Sequence, residues 1–242
     1  MYGSFATRLW LKHCDIDLLL IPGNQSPMES IEWYLDEIYR RLKQTKNYNR
    51  ASILKTIKVP MIRIEVQEGA EKRKNARKFD ITVMGINHNG KHHVMYITNM
   101  MSRFPVLQPL FYVVKKLSYY YKLNDPKNFG VRSYALVLML ALFLNDYPNP
   151  ANLGELLLSF FYKFGYSYEY EYRHNVPDQE SMVLNLPDPI NPKNNVGSQT
   201  DACSLQRMFK TAYIILHTKG PESKLSYLFD SRNIFTLRDV PT

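Results

Sequence analysis

Residues 3–22 read GSFATRLWLKHCDIDLLLIP, and the reading of the whole chain turns on them. LLLIP (18–22) has the composition of a buried strand. Asp15 and Asp17 alternate with Ile16 at its start, so in an extended backbone both carboxylates point to one face. Like charges at neighbouring same-face positions repel, and a buried anion without a partner is costly. Something positive should sit between them, and nothing basic is adjacent. A divalent metal ion is the economical counter-charge.

The 242 residues, 45% of them hydrophobic, allow one large or two modest domains with ample core material. A net charge of +9 favours an anionic partner such as nucleic acid. Most of the 18 Tyr and 12 Phe should be core, although tyrosine beside lysine suits stacked bases and phosphates. Cys14 and Cys203 are the only cysteines, and no CxxC pair exists. That argues against a zinc site or a disulfide framework and fits a reducing compartment. The longest apolar run, ALVLMLALFL (135–144), is too short to span a bilayer, and no secretory signal opens the sequence. The expectation is an intracellular, soluble chain with no membrane partner.

The first third alternates strand and helix, which predicts mixed α/β structure. Ser26 is placed to cap a helix, with Pro27 in its first turn and Glu29 at the capping-box position. Ile31, Tyr34, Leu35, Ile38 and Leu42 then repeat at helical spacing. TIKVPMIRIEV (56–66) reads as a strand, with Pro60 suggesting an edge or a bulge. The basic stretch EKRKNARK (71–78) leads into the strand KFDITVMGI and offers a phosphate-gripping hairpin tip. After Gly90 the pattern turns helical. Leu107 to Tyr121 carry one apolar face, 133–146 is buried all round, and Asn152 and Gly165 bracket NLGELLLSFFYKFG. YSYEYEYR (166–173) alternates like a strand, DPINPKNNVG (188–197) is a loop, and ACSLQRMFKTAYIILHTK is a last amphipathic helix. SYYYK (118–122) offers rings for stacking.

Asp80 in KFDITV is a third carboxylate in an apolar strand. Three strand-borne acids suit two-metal phosphoryl transfer, and hard oxygen ligands select Mg2+ or Mn2+. Gly3 and Ser4 lie ten residues ahead of DID, where a residue without a Cβ and a hydroxyl can approach phosphate closely.

GSFATRLWLKHCDIDL resembles the nucleotidyltransferase motif of the polymerase β superfamily, and more narrowly the noncanonical poly(A) polymerases, the TRAMP-type RNA adenylyltransferases. The similarity continues through VPMIRIEV, KFDITV, FPVLQPLFYVVKKL, KLND, SYALVLM, NLGELLLSFFYKFG and DPINPKNNVG. It implies a nucleotidyltransferase domain over 1–88 and a helical central domain over 89–242, with a nucleotide-recognition loop near 188–198 and the active site between the lobes. It implies that Asp15, Asp17 and Asp80 are catalytic and hold the metals, with Asp80 acting on the RNA 3′ hydroxyl. It implies that Gly3, Ser4, Gly90, Lys115, Ser133, Tyr134 and Asn194 bind the nucleotide. Lys115 would reach the triphosphate, Tyr134 would stack on the base and Asn194 would read the base edge.

The implied reaction is template-independent addition of AMP from ATP to an RNA 3′ end. Terminal uridylyl transfer is the alternative chemistry, and an impaired RNA-binding or scaffold subunit is the rival from another class. The resemblance also implies a partner that is an RNA-binding protein or a helicase, and a nuclear rather than cytoplasmic setting. Several departures stand out. Arg8 stands where relatives usually have Gly, Phe129 and Arg132 disturb a common GG-x-S-S stretch, and Ser198 replaces an arginine often seen after NDVG.

Overall fold

The computed structural model describes residues 1–11, 14–23, 30–45, 48–57, 59–67, 76–85, 89–147, 152–173, 181–218 and 224–230. The chain divides into two compact units, Met1–Asn99 and Met100–Thr242.

The first unit is built on a mixed sheet of β1 (Ile16–Leu20), β2 (Arg50–Leu54), β3 (Met61–Gln67) and β4 (Ala76–Val83), in the order β1-β4-β3-β2. β1 runs parallel to β4, and the other pairs are antiparallel. A short helix, α1 (Gly3–Ala6), precedes β1, and α2 (Ile31–Thr45) covers one face. The helically spaced Ile31, Tyr34, Leu35, Ile38 and Leu42 pack on Ile62, Ile64, Phe79, Ile81 and Val83, and Leu35 is fully buried. Period-two alternation therefore sends the even positions of β3 and the odd positions of β4 into this core. It leaves Arg63 and Asp80 on the opposite face.

The strand expected over 56–66 begins at Met61, just after Pro60. It is an internal strand rather than an edge, because the proline stands ahead of the ladder, where its missing N–H costs nothing. β2 (RASIL) carries too short a pattern to have been read from sequence. The expected cap at Ser26, with Pro27 and Glu29, and residues 71–75 of the basic stretch lie outside the described residues.

α3 (Gly90–Arg103) carries the chain into the second unit, which holds α4 (Leu107–Tyr120), α5 (Ser133–Asp146), α6 (Leu153–Tyr162) and α7 (Ala202–Thr218). α5 is buried along most of its length, as its uninterrupted apolar sequence requires. Phe143, Phe160, Phe161, Phe164 and Phe209 form a ring cluster between α5, α6 and α7. Asn152 caps α6, its Oδ1 accepting the Glu155 N–H at 2.8 Å. Gly165 does not stop the helix. The backbone widens into a π turn over Lys163–Ser167. A Cβ on Gly165 would stand 2.9 Å from the Lys210 backbone nitrogen, so only glycine lets this turn lie against α7. Of YSYEYEYR only Glu171–Arg173 is strand (β5), paired with β6 (Ser181–Val183). Among the described residues no helix is long and apolar enough to cross a membrane.

Candidate active site and nucleotide loop

Asp17 on β1 stands beside Asp80 on β4, Asp80 beside Arg63 on β3, and Arg63 beside Ser52 on β2. One row of polar side chains thus crosses the whole sheet on the face away from α2. Asp15, just ahead of β1, joins it. Arg63 Nε donates to Asp80 Oδ1 at 2.8 Å and Nη2 to Oδ2 at 2.6 Å, while Nη2 lies 3.5 Å from Asp15 Oδ2. The expectation that nothing basic neighbours these acids therefore needs correction. The counter-charge comes from a strand 46 positions further along the chain (63 against 17), where alternation in MIRIEV had placed it on the acidic face.

The electrostatics follow from this crowding. Burial, then the Asp80 and Asp15 charges, push the Asp17 carboxyl up to about 7. Burial and Asp80 raise Asp15 as well, against the pull of Arg63. The hydrogen bonds to Asp80 hold the Arg63 guanidinium firmly protonated. Three carboxyls against one guanidinium leave a cluster of hard oxygens short of positive charge, and this donor set fits a magnesium-type ion. Among the described residues no trio of acidic, imidazole or thiol groups converges as a finished coordination sphere. Asp80 turns both oxygens to Arg63.

Gly3 has φ +68, and a Cβ there would meet Asp17 Oδ2 at 2.0 Å. The Tyr2 N–H donates to the Asp17 carbonyl at 3.0 Å, which fixes this approach. Gly3 and Ser4 therefore open α1 directly over the carboxylate row. Thr7 Oγ1 donates back to the Ser4 carbonyl at 3.1 Å and closes the turn. Gly90 is the first residue of α3.

In the second unit Lys115 is 4% exposed, its ammonium 5.1 Å over the Tyr119 ring. Its neighbour Lys116 is solvent-facing. Burying a lysine is unusual, and this distinguishes Lys115 from its neighbour. Ser133 and Tyr134 open α5. Tyr134 OH donates to Asp188 Oδ1 at 2.9 Å, and Asn194 Nδ2 reaches Asp188 Oδ2 at 3.4 Å. Two residues 60 positions apart (194 against 134), both expected at the base site, thus meet on one carboxylate.

Asp188 is 1% exposed and also accepts the Ile190 N–H at 3.0 Å. Sequence reasoning missed it, although an acid inside LPDPI was the available signal. A carboxylate oxygen accepts, so the Asn194 amide turns its nitrogen to Asp188 and its carbonyl oxygen away. The Asp188 N–H donates to the Asn194 carbonyl at 2.9 Å, and Asn195 Oδ1 accepts from Leu186 and Gly197 N–H groups at 2.9 Å, so the loop is pinned to itself. Two of the departures find an explanation. Arg8 (φ 58) and Phe129 (φ 56) both occupy the left-handed region where glycine costs least.

Residues 1–88 match the family model for the mitochondrial-like poly(A) RNA polymerase central palm domain. Poly(A) RNA polymerase protein 1 of Saccharomyces cerevisiae is 24% identical over 90% of this chain and 37% of its own length. Poly(A) RNA polymerase gld-4 of Caenorhabditis elegans is 26% identical over 89% of this chain and 28% of its own. The chain therefore spans about a third of the length of the curated relatives it matches.

Solved structures with the same fold include the Cid1 poly(U) polymerase, in a mutant bound to MgATP (TM-score 0.73, 19% identity, 95% of this chain and 84% of that one). The polymerase core of TRAMP, an RNA surveillance complex, also matches (TM-score 0.69, 19% identity, 96% and 78%). Residues 1–88 are thus similar to a poly(A) RNA polymerase palm domain, and the chain is similar to poly(A) RNA polymerases along most of its length.

Proposed function

We propose that this chain adds nucleotides to RNA 3′ ends without a template, with ATP as its preferred substrate. The observation that carries the reading is the in-register row of Asp17 and Asp80, with Asp15 at its end. These three carboxyls would hold Mg2+ or Mn2+, which supplies Lewis-acid stabilisation of the triphosphate and activation of the attacking hydroxyl when bound. Gly3, with no Cβ, lets the α1 backbone lie close against the Asp17 carboxylate. Asp80 would act on the RNA 3′ hydroxyl, and Arg63, bonded to both its oxygens, would orient it. Lys115 would counter triphosphate charge, and Ser133 would contact phosphate or sugar. Tyr134 would stack on the base, and the outward carbonyl of Asn194 would accept from the exocyclic amine of adenine. Uracil presents an acceptor at that edge, so the same geometry disfavours it.

A second reading, an impaired RNA-binding subunit, is supported by one feature: both Asp80 oxygens are engaged by Arg63. An RNA-binding or helicase partner and a nuclear setting are further parts of this proposal, which co-purification from nuclear extract would test; the TRAMP core, whose fold is similar, belongs to an RNA surveillance complex. Incubation with labelled oligo(A), Mg2+ or Mn2+ and each NTP in turn decides the activity. Extension with ATP that is lost in Asp17→Ala supports the first reading. An inactive wild-type protein with either metal supports the second.

A further inference from the structure

The second unit keeps two populations of aromatic rings. Phe160, Phe161, Phe164 and Phe209 are buried in the core, while the rings interleaved with them in sequence face outward. Tyr162 is 49% exposed and Tyr166 45% exposed. Their rings stack at 5.5 Å and 25°, one turn apart. Tyr213 and His217 on α7 stack at 5.1 Å and 24°. Tyr213 joins the two pairs, 5.4 Å from Tyr162 and 5.6 Å from Tyr166. The four rings form one continuous outward surface across α6, the π turn and α7.

That surface is built by the local backbone. A regular α-helical turn would rotate Tyr166 away from its place, and the π turn widens the helix where the ring emerges. Gly165, pressed on the Lys210 backbone, brings the turn against α7 and sets Tyr166 beside Tyr213. Lys210 Nζ then lies 5.6 Å from the Tyr166 ring centroid. Lys163, which follows Tyr162 in the chain, pairs with Asp146, and His217 is itself one of the four rings.

We infer that this ladder is a binding platform for single-stranded RNA, built from residues other than those of the carboxylate row and the Asp188 loop. Flat, half-exposed rings give bases a face to stack on, and every base has such a face, so the platform tolerates any sequence. Ammonium groups at its rim suit phosphates, as the chain's +9 charge does. A duplex hides its base faces and gains only the phosphate contacts. Lys163 would exchange Asp146 for phosphate. The inference goes beyond the proposed reaction, because it concerns holding RNA and needs neither metal nor NTP.

Fluorescence anisotropy with short labelled oligo(A), oligo(U) and a blunt RNA duplex, in EDTA and without NTP, tests it. Wild type should bind both single strands with similar affinity and the duplex more weakly. Tyr162→Ser/Tyr166→Ser, both at half-exposed positions, should weaken single-strand binding by about tenfold or more, the scale of one lost base stack. Its melting temperature should stay near wild type. Tyr162→Phe/Tyr166→Phe, which keeps the ring faces, should bind as wild type does and so separates stacking from folding. Lys210→Gln should reduce the slope of log affinity against log salt by about one phosphate contact. Duplex binding equal to single-strand binding, an unchanged affinity in the serine variant, or no RNA binding by wild type would each overturn the inference. The second of these outcomes would leave the rings to a protein partner.

Discussion

Arg63→Met should destabilise the protein although Arg63 lies on the sheet face opposite the core. The arginine makes two charge-assisted hydrogen bonds to Asp80, at 2.8 and 2.6 Å. The Asp80 side chain is 7% exposed and that of Arg63 26%. Removing one partner of a fully buried pair costs about 3–5 kcal/mol, because the remaining charge is left buried. The quarter exposure of Arg63 admits solvent screening and trims this to roughly 2–3 kcal/mol. The Asp15 contact, at 3.5 Å with Asp15 38% exposed, adds little.

At about 2–4 °C per kcal/mol for a chain of this size, the melting temperature should fall by roughly 5–10 °C. Asp80→Asn alone and the double variant complete a cycle, whose coupling should be roughly 2 kcal/mol. Thermal and urea unfolding in EDTA read the loss. Added Mg2+ should restore part of it, since the ion supplies the charge that Arg63 supplied. An Arg63→Met variant within about 0.5 kcal/mol of wild type, the range of neutral surface changes, would refute the reasoning.

Four further outcomes follow from the same geometry. With Asp17 raised to about 7 and Asp15 raised as well, the metal-free fold binds more protons than the unfolded chain between about pH 4 and 7. Its stability should therefore fall as pH rises through that window, by at most about 1.4 kcal/mol per unit for each carboxyl; saturating Mg2+ should flatten the slope, and urea titrations across the range would show whether it does. Gly3→Ala puts a Cβ at 2.0 Å from Asp17 Oδ2 at φ +68. It should cost about 1–2 kcal/mol of stability and depress nucleotide addition at least tenfold, read by melting and primer extension. Asp188→Ala releases the Asn194 amide, so the ATP to UTP ratio of kcat/KM should drop by about tenfold, and Asn194→His should move it the same way; steady-state kinetics with an unmoved ratio would remove this pair from the base site. Phe129→Gly relieves a left-handed residue that is 66% exposed and should stabilise by about 0.5–1 kcal/mol in a melting experiment.

Some of this was legible in the residues themselves. Alternation around Ile16 and Phe79 marked Asp15, Asp17 and Asp80 as strand-borne acids on an apolar sheet. Helical spacing from Ile31 to Leu42 and the all-apolar run of α5 gave those helices their faces, because local periodicity reports which side is buried. GS ahead of DID, with the later loop, carried the resemblance to nucleotidyltransferases.

What was not legible depended on contacts far apart in the chain. Strand order and register decide that Arg63, and no neighbour in sequence, faces Asp80. Packing against α7 decides that Gly165 widens a helix instead of ending it. Chain folding in the second unit decides that Tyr134 and Asn194 share Asp188, and that Tyr162 and Tyr166 meet Tyr213 on the surface. A sequence records which side chains lie on one face of one element. Which faces meet is settled by the burial free energy and hydrogen-bond pairing of the whole fold, and those terms belong to residue pairs that the linear order keeps apart.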